Sequence, residues 1–311
     1  MAVSMLGRSL LSIHDFSVEE IAEILRLTGE LKEKRNKGEA TPLLAGKTLG
    51  MVFQKRSTRT RVSFEVGMYE LGGSALFLSA DDLQLGRGET IADTAGVLSR
   101  YLHGIMARTY SHQHVVDLAE HGTVPVINGL TDLLHPCQAL TDVFSILEKK
   151  GTLKGLKMTY VGDGNNMAHS LMYAGAKTGL DVTISTPDGY RPDARVVEQA
   201  RSDAGETGAE ISLVSDPREA VTGADVIYTD VWASMGQEEE HAKRVKDFQK
   251  WQVNEELISH AKDDCLVMHC LPAHRGEEIT DGAVDGPHSI VFDQAENRLH
   301  TQKAIMSLLM G

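Results

Sequence analysis

Short apolar segments alternate with amphipathic segments along nearly the whole chain, and this alternation limits the possible folds more than any other feature. The apolar segments have the length and the Val, Ile and Leu content of buried strands, while the intervening segments carry apolar residues at helical spacing. Strands that alternate with helices form parallel sheets with helices on their faces. The sequence therefore predicts an α/β fold with strands at 47–53, 75–78, 103–108, 124–128, 157–161, 181–185, 211–214, 225–228, 265–268 and 289–292.

The length of the chain and a pair of glycines indicate two domains. A chain of 311 residues is long enough for about two domains of ordinary size, and Gly151 and Gly155 interrupt the pattern. We expect a first domain at 1–150 and a second at 151–295, each with a parallel sheet flanked by helices, and a helix at 296–311 that packs back on the first domain. Because ligands of such sheets bind beyond the carboxyl ends of the strands, we expect the active site in the cleft between the domains.

The composition argues against several classes of protein. With 41% hydrophobic residues the chain can form packed cores, and a formal charge of −13 without a long basic run argues against nucleic acid or an acidic membrane as a partner. The three cysteines form no Cys-x-x-Cys pair, which is typical of a reducing compartment. We see no signal peptide and no run of about 18 apolar residues. We therefore expect a cytoplasmic protein with no membrane partner.

The segment 47–65 carries the clearest indication of function. A buried strand ends within it, a helix is expected at 61–71 with its apolar face at Val62, Val66 and Tyr69, and the turn before that helix concentrates basic and hydroxyl side chains. The start of a helix offers N–H groups without intrahelical partners and the positive end of the helix dipole, and a guanidinium can bind two oxygens of one phosphate. The sequence therefore predicts an anion site formed by Ser57, Thr58, Arg59, Thr60 and Arg61.

Polar side chains also follow other predicted strands, in both halves of the chain. The carboxyl ends of parallel strands converge on one crevice in α/β proteins. Arginines and hydroxyls suit a dianion, whereas the carboxylate of Asp230 and the amide of Asn166 suit an ammonium group and the polar groups of an amino acid. The pattern indicates a two-substrate site with opposite charge preferences, formed by Arg59, Arg108, His135, Asn166, Asp230 and Cys270.

Three other interpretations find less support in the residues. The loop at 162–166 is similar to a dinucleotide-binding turn, but Met167 stands where the third glycine is required. The spacings of His and Cys at 135–137 and at 269–270 do not match the usual pairs of zinc ligands. No obvious base accompanies Cys270 as a nucleophile, and a small apolar residue at a strand end is an equally good interpretation of this cysteine.

Four short motifs resemble those of the ornithine carbamoyltransferases. They are Ser-Thr-Arg-Thr-Arg at 57–61, His-Pro-Cys-Gln at 135–138, Ser-Met-Gly at 234–236 and His-Cys-Leu-Pro at 269–272. Their order and spacing match across essentially the whole chain. The first two are shared in general form with the aspartate carbamoyltransferases, whereas the last two, together with Asp230, point to ornithine.

The resemblance implies an activity and a role for each motif residue. The family transfers the carbamoyl group of carbamoyl phosphate to the side-chain amine of L-ornithine, giving L-citrulline and phosphate without a cofactor or metal. The implied catalytic residues are Arg108, His135 and Cys270. The implied carbamoyl phosphate ligands are Ser57, Thr58, Arg59, Thr60, Gln84, Arg108, His135, Gln138, Cys270, Leu271 and Arg298. The implied ornithine ligands are Asn166, Asp230, Ser234 and Met235.

The resemblance also implies partners and leaves alternatives open. It implies a homotrimer in which Gln84 reaches a neighbouring active site, and Gln84 itself favours ornithine because the aspartate enzymes are expected to carry a Lys there. It assigns carbamoyl phosphate to the first domain and ornithine to the second. The alternatives are a sibling transferase for putrescine, acetylornithine or aspartate, a catalytically silent homologue and a nicotinamide oxidoreductase. The motifs are compatible with arginine biosynthesis and with arginine breakdown.

The chemistry of the reaction adds expectations about individual groups. The amine attacks the carbamoyl carbon directly and must be neutral, although an alkyl ammonium has a pKa of about 10.4; we therefore expect Asp230 and Cys270 to orient it. Charge develops on the carbonyl oxygen, so donors aimed at that atom matter most. The candidate donors are Arg108, His135 and Thr60. We also expect a cis Leu271–Pro272 bond, which would turn the backbone groups around Cys270 inward.

Overall fold

The computed structural model describes residues 4–80, 88–233 and 240–311, and the chain forms two compact units. The first unit comprises residues 1–144 and 296–311, and the second comprises residues 145–295. Each unit has a parallel sheet with helices on its faces, which confirms the predicted fold class. Among the described residues, no helix combines the length and the apolar composition needed to span a membrane.

The secondary structure alternates as the sequence predicts. The first sheet contains β1 Thr48–Phe53, β2 Ser74–Ser79, β3 Gly104–Arg108 and β4 Val126–Leu130. The second contains β5 Lys157–Val161, β6 Asp181–Ser185, β7 Ile211–Leu213, β8 Val226–Thr229 and β9 Leu266–His269. The helices are α1 Val18–Asn36, α2 Thr58–Glu70, α3 Ile91–Tyr101, α4 His112–His121, α5 Pro136–Lys150, α6 Asn166–Thr178, α7 Ala194–Thr207, α8 Pro217–Val221, α9 His241–Asp247, α10 Glu255–Ile258, α11 Asp281–Val284 and α12 Val291–Met310.

The first sheet has the strand order β2-β1-β3-β4, and all its strands are parallel. Val52, Ile105 and Val126, from three adjacent strands, form a core with residues of α3 and α4. Because the chain leaves β1 toward one side and β3 toward the other, these two strands mark the switch point at which α/β sheets bind ligands. Their last residues, Phe53 and Arg108, are paired in register.

Helix α1 shows how the local sequence starts a helix in this unit. The side chain of Ser17 accepts a hydrogen bond from the Glu20 N–H at 3.2 Å, and the Glu20 carboxylate accepts one from the Ser17 N–H at 2.8 Å. This reciprocal capping satisfies two backbone donors that the helix itself leaves without partners. Ile21, Ile24 and Leu31 follow at helical spacing and are buried.

Helix α2 differs from the sequence expectation in its start and in its buried face. It begins at Thr58, and Val62 and Tyr69 are exposed, with 52% and 81% of their surfaces accessible. Gly67 belongs to the buried face instead, because a Cβ at that position would lie 3.0 Å from the Met306 side chain of α12. The partner helix is far away in the sequence, so local periodicity could not identify the face that packs against it.

The second sheet has the order β7-β6-β5-β8-β9, again with all strands parallel. β5 pairs with β6 on one side and with β8 on the other, so the switch point of this sheet lies between β5 and β8. Asn165 and Asn166 follow β5, and Asp230 follows β8. The strand order therefore places the polar residues after β5 and β8 at the ligand-binding edge of the sheet.

The predicted strand at 289–292 is wrong. Ser289 makes only an isolated bridge to Val267, and Val291 already begins α12. Ile290 and Val291 are buried, so the apolar run does enter a core, but it does so at the start of a helix. A short apolar run of this kind has the same composition in a strand as in a buried helical turn.

Candidate active site

The start of α2 forms a turn rich in hydrogen-bond donors. Ser57 caps the helix, since its side-chain oxygen accepts from the Thr60 N–H at 3.2 Å, while its hydroxyl donates to Thr60 Oγ1 at 3.1 Å. Thr60 is fully buried, Arg59 is half-buried and Thr58 is exposed. Backbone N–H groups, hydroxyls and a guanidinium at one helix start make an arrangement suited to an anion.

Helix α12 brings a second arginine to this turn. Arg298 is 3% exposed, and its Nη2 donates to Thr60 Oγ1 at 2.8 Å. Helix α12 packs closely on α2 at Gly67, where a Cβ would lie 3.0 Å from the Met306 side chain and 3.3 Å from the Lys303 side chain. Arg298 thus reaches the α2 turn from the opposite end of the sequence.

His135 lies just before α5 among three arginines. It is 4% exposed. Burial, reinforced by the charges of Arg298, Arg108 and Arg59, holds the pKa of His135 well below its ordinary value. The imidazole is therefore neutral at neutral pH and can donate one hydrogen bond without adding a fourth positive charge. We call these four residues the arginine cluster.

Arg108 joins the cluster from the sheet itself. It is the last residue of β3, and its backbone oxygen accepts a hydrogen bond from the Gln54 N–H at 2.9 Å, just beyond β1. The side chain is 7% exposed. Its position at the carboxyl end of a strand, at the switch point of the sheet, is where α/β folds place groups that contact a ligand.

Gln138 provides an acceptor in the same unit. Its Nε2 donates to Asp142 Oδ1 at 2.8 Å, one turn along α5, which fixes the orientation of the amide. Within residues 4–80, 88–233 and 240–311, no donor lies within hydrogen-bonding distance of the buried Gln138 Oε1. A buried acceptor of this kind suits a ligand that carries an N–H group.

The second unit presents a carboxylate in place of guanidiniums. Asp230 is 7% exposed, and its Oδ1 accepts from the Cys270 Sγ–H at 3.0 Å and from the Val231 N–H at 2.8 Å. Its Oδ2 accepts from Asn165 Nδ2 at 3.1 Å. Asn165 also caps α6 by accepting from the Met167 N–H at 2.9 Å. Three donors therefore fix the orientation of the Asp230 carboxylate.

Cys270 is supported by a buried histidine and glutamate. His269 Nδ1 accepts from the Leu271 N–H at 2.8 Å, so the ring proton lies on Nε2, which is 3.0 Å from Glu278 Oε1. The side chains of His269 and Glu278 are both fully buried. The Leu271–Pro272 bond is cis, as predicted, and Leu271 has a φ of +57°, in the left-handed region.

The histidines and cysteines considered as zinc ligands belong to different units of the structure. Asp230, His269 and Cys270 place possible ligand atoms within 4.8 Å of one another in the second unit. Cys137 belongs to the first unit, where its thiol donates to the Asn128 carbonyl oxygen at 3.4 Å, and burial raises its pKa to about 12. A thiol with so high a pKa is protonated near neutral pH, which makes Cys137 a poor metal ligand.

The structure brings several sequence-predicted residues together, and three others lie outside the part of the chain that it describes. Arg59, Thr60, Arg108, His135 and Arg298 meet in the first unit. Asp230 and Cys270 meet in the second, with Asn166 beginning α6 beside the capping residue Asn165. The predicted residues Gln84, Ser234 and Met235 lie outside the described residues.

Sequence reasoning missed two residues of the second unit. The sequence pattern assigns Asn165 only to the loop at 162–166, although an Asn just before an amphipathic run is a signal for a helix cap. Glu278 follows the motif at 269–272 by several residues and carries no local signal. Only the fold shows that it accepts from His269.

The family models cover nearly the whole chain. Residues 8–148 match the carbamoyl-P binding domain of the aspartate/ornithine carbamoyltransferases, and residues 154–309 match their Asp/Orn binding domain. The chain belongs to the aspartate/ornithine carbamoyltransferase family.

Full-length relatives in this carbamoyltransferase family are highly similar. The chain is 61% identical over 312 residues to the ornithine carbamoyltransferase of Thermococcus kodakarensis, covering 100% of this chain and 99% of that relative. It is 60% identical to the anabolic ornithine carbamoyltransferase of Pyrococcus furiosus, again covering 100% of this chain and 99% of the relative.

Solved structures of carbamoyltransferases share the fold over the same length. The structure of the ornithine carbamoyltransferase from Pyrococcus furiosus has a TM-score of 0.97 at 60% identity, covering 100% of this chain and 99% of that one. The structure of the Gloeobacter violaceus ornithine carbamoyltransferase has a TM-score of 0.88 at 43% identity, with coverage of 99% and 100%.

Proposed function

We propose that this protein transfers the carbamoyl group of carbamoyl phosphate to the side-chain amine of L-ornithine, giving L-citrulline and phosphate. The observation that carries the proposal is the arginine cluster, in which three guanidiniums surround a neutral imidazole beside the capped start of α2. On a chain with a net charge of −13, this local concentration of positive charge indicates an anionic substrate.

The first unit is proposed to bind carbamoyl phosphate. The phosphate lies at the start of α2, where Ser57, Thr58, Arg59 and Thr60 supply backbone N–H groups, hydroxyls and a guanidinium fork. Arg298 donates to Thr60 Oγ1, which keeps that oxygen occupied as an acceptor and directs the hydroxyl hydrogen of Thr60 elsewhere.

The carbamoyl group is proposed to be polarised by Arg108 and His135. As the amine attacks, negative charge develops on the carbonyl oxygen, and donors already oriented toward it stabilise the transition state. Neutral His135 serves as a hydrogen-bond donor and not as a general acid, since burial and the three arginines keep its pKa low. The buried Gln138 Oε1 then accepts from the carbamoyl NH₂ group, which selects this end of the ligand.

The second unit is proposed to bind ornithine. The Asp230 carboxylate suits an amino group of the substrate, and Asn166, Ser234 and Met235 are assigned to ornithine by their motif positions. Cys270 donates to Asp230 Oδ1, so the thiol and the carboxylate act as one oriented pair beside the reacting amine. Cys270 and Leu271 are further assigned to the carbamoyl group. The backbone of this segment is held by His269, which accepts from the Leu271 N–H and pairs with Glu278.

The reaction is proposed to proceed by direct attack, without a covalent enzyme intermediate. The amine nitrogen bonds to the carbamoyl carbon, the bond from that carbon to the bridging oxygen breaks, and the departing phosphate takes up the proton that the amine loses. Holding both substrates in a reactive geometry can contribute about 7–11 kcal/mol to lowering the barrier. The side chains therefore need to position and polarise the ligands more than to take part covalently.

The protein is proposed to act as a homotrimer in which Gln84 contributes to a neighbouring active site. The exposed apolar surface of the first unit supports self-association: Leu76 and Phe77 on the edge strand β2 are 48% and 38% exposed, and Tyr101 at the end of α3 is 73% exposed. Exposed apolar side chains of this size are candidates for burial in an interface between subunits.

We further propose the biosynthetic direction and the cytoplasm for this protein. The Pyrococcus furiosus relative carries the word anabolic in its name. The three cysteines are all free thiols in the structure, as suits a reducing compartment.

A ureido-product assay tests the proposal. Purified protein is incubated with carbamoyl phosphate and, in separate reactions, with ornithine, putrescine, acetylornithine or aspartate. We expect citrulline from ornithine and little product from the other three amines, with the Arg108→Ala variant as a control that the product is enzymatic. Faster turnover of any other amine would assign the chain to a sibling activity, and no product from any amine would indicate a silent homologue.

A further inference from the structure

Two histidines and a glutamate of the second unit form a cluster that the proposed reaction does not use. His241 Nε2 lies 3.0 Å from Glu277 Oε2, and His274 Nδ1 lies 3.7 Å from the same oxygen. The two imidazole rings approach edge to face, with centroids 6.5 Å apart. One potential ligand atom from each residue lies within 4.8 Å of the other two.

The separations in this cluster correspond to those around a bound transition metal. Zinc binds imidazole nitrogen and carboxylate oxygen at about 2.0–2.2 Å, so neighbouring ligands of a tetrahedral ion lie about 3.4 Å apart. The observed distances of 3.0 and 3.7 Å lie on either side of this value. Small rotations of the side chains would bring all three ligands to one ion.

Hydrogen bonds fix the backbone turn that carries His274 and Glu277. The Glu277 N–H donates to the His274 carbonyl oxygen at 2.9 Å, closing a tight turn, and Gly276 takes a φ of +88° within it. Gln252 Nε2 donates to the Gly276 and Glu277 carbonyl oxygens, both at 2.9 Å. The third ligand, His241, is the first residue of α9. The side chains thus project from an ordered turn and an ordered helix.

The site is open to an ion from solution. The side chains of His241 and His274 are each 43% exposed, and that of Glu277 is 30% exposed. Three protein ligands leave at least one coordination position for water. The carboxylate and the overall negative charge of the chain favour a cation.

We propose that His241, His274 and Glu277 form a binding site for a divalent transition-metal ion such as Zn²⁺. Imidazole nitrogen with one carboxylate oxygen selects this class of ion over Mg²⁺ and Ca²⁺, which prefer oxygen ligands throughout. The bound ion connects the start of α9 to the turn at 274–277. It stabilises the second unit and takes no part in the transfer of the carbamoyl group.

The chain offers a matched control for this site. His260 Nε2 lies 3.1 Å from Glu256 Oε1, with side-chain exposures of 41% and 56%. This is an imidazole–carboxylate pair of similar geometry and exposure in the same unit, but the described metal-ligand clusters do not include it. His260→Ala therefore removes a surface histidine without removing a ligand of the proposed site.

Calorimetric titration of the metal-free full-length protein with Zn²⁺ tests the site. We expect one ion per chain, with affinity lowered more than about tenfold in His241→Ala, His274→Ala and Glu277→Gln, because even the groups that support metal ligands contribute about 10- to 100-fold. His260→Ala should bind as the wild type does. Equal affinity in the wild type and the His241→Ala variant, or no binding to the wild type, would overturn the proposal.

A second measurement separates this site from the cluster of Asp230, His269 and Cys270. Zn²⁺ should raise the melting temperature of the wild type and of His260→Ala, but not that of His241→Ala, because an ion that binds only the folded state stabilises it. The Cys270→Ser variant should retain Zn²⁺ binding, and the Co²⁺ complex of the wild type should lack a thiolate charge-transfer band. Loss of Zn²⁺ binding in Cys270→Ser would place the ion at the other cluster and overturn the proposal.

Discussion

The two units carry side-chain clusters of opposite charge, with arginines in the first and a carboxylate in the second. In the first unit, arginines from α2, β3 and α12 converge around a neutral histidine. In the second, one buried carboxylate is held by a thiol and an amide. The three guanidiniums carry charge of one sign and suit an anion, whereas hydrogen-bond donors orient the Asp230 carboxylate. The first unit is therefore suited to an anionic ligand, and the second to a ligand that carries an amino group.

The largest expected effect is a difference in pH dependence between the two substrates. Below its pKa of about 10.4, the neutral fraction of an alkyl amine rises about tenfold per pH unit. We expect kcat/KM for ornithine to rise by up to about tenfold per pH unit between about pH 6 and 9. His135 has a lowered pKa, so it has already lost its proton at pH 6.5 and above, and KM for carbamoyl phosphate should show no histidine titration there.

Initial rates across this range, with each substrate varied in turn, check the contrast. A flat ornithine profile would remove the requirement for a neutral amine. A loss of carbamoyl phosphate affinity centred near the ordinary pKa of histidine would show that His135 binds in its charged form.

Arg108→Ala should have the next largest effect and should act on the chemical step. Removing one preorganised donor from a developing oxyanion typically lowers kcat by about 10²- to 10³-fold, or about 2.7–4 kcal/mol. Steady-state kinetics with both substrates saturating measure this loss. Arg26→Ala is the control, because Arg26 pairs with Glu23 and Glu30 on the exposed face of α1. A change confined to KM would make Arg108 a binding residue only.

Arg59→Ala should weaken one substrate and not the other. A charge-assisted hydrogen bond contributes about 1.5–3 kcal/mol, so KM for carbamoyl phosphate should rise by about 10- to 100-fold. KM for ornithine should change little, since Arg59 belongs to the arginine cluster of the first unit. Saturation curves for each substrate decide the point, and unchanged saturation by carbamoyl phosphate would remove Arg59 from the site.

Asp230→Asn should give the smallest effect, with the opposite substrate dependence. Neutralising the carboxylate replaces a charge-assisted contact with a neutral one, which should raise KM for ornithine by about tenfold. KM for carbamoyl phosphate should stay close to the wild-type value. Thermal melting serves as the check on folding, because Asp230 also accepts from Cys270 and Asn165. Equal effects on both KM values would contradict the proposed assignment of the two substrates to different units.

Local features of the sequence predicted the alternation of elements, the parallel sheets and the polar residues at strand ends. β5 and β6 coincide with the predicted strands, because each is a short β-rich run bounded by polar turns. Residues whose role depends on a distant element were not predictable in the same way. Gly67 is buried because α12 packs on it, and Glu278 matters because it lies beside His269.

The strand predicted at 289–292 was wrong because its structure also depends on distant parts of the chain. Ile290 and Val291 are apolar and buried, as expected, but the first turn of α12 buries them instead of a sheet. Periodicity reports that a segment enters a core, and the choice between strand and helix there depends on what the rest of the chain supplies.

The position of Arg298 in the chain has a consequence for biosynthesis. The α2 turn that it contacts is made early, yet Arg298 is translated only after the whole of the second unit. Because synthesis proceeds from the N-terminus, the strands of the first sheet leave the ribosome before α12 can pack against Gly67. The arginine cluster is therefore completed late, only after synthesis has passed the strands of both sheets.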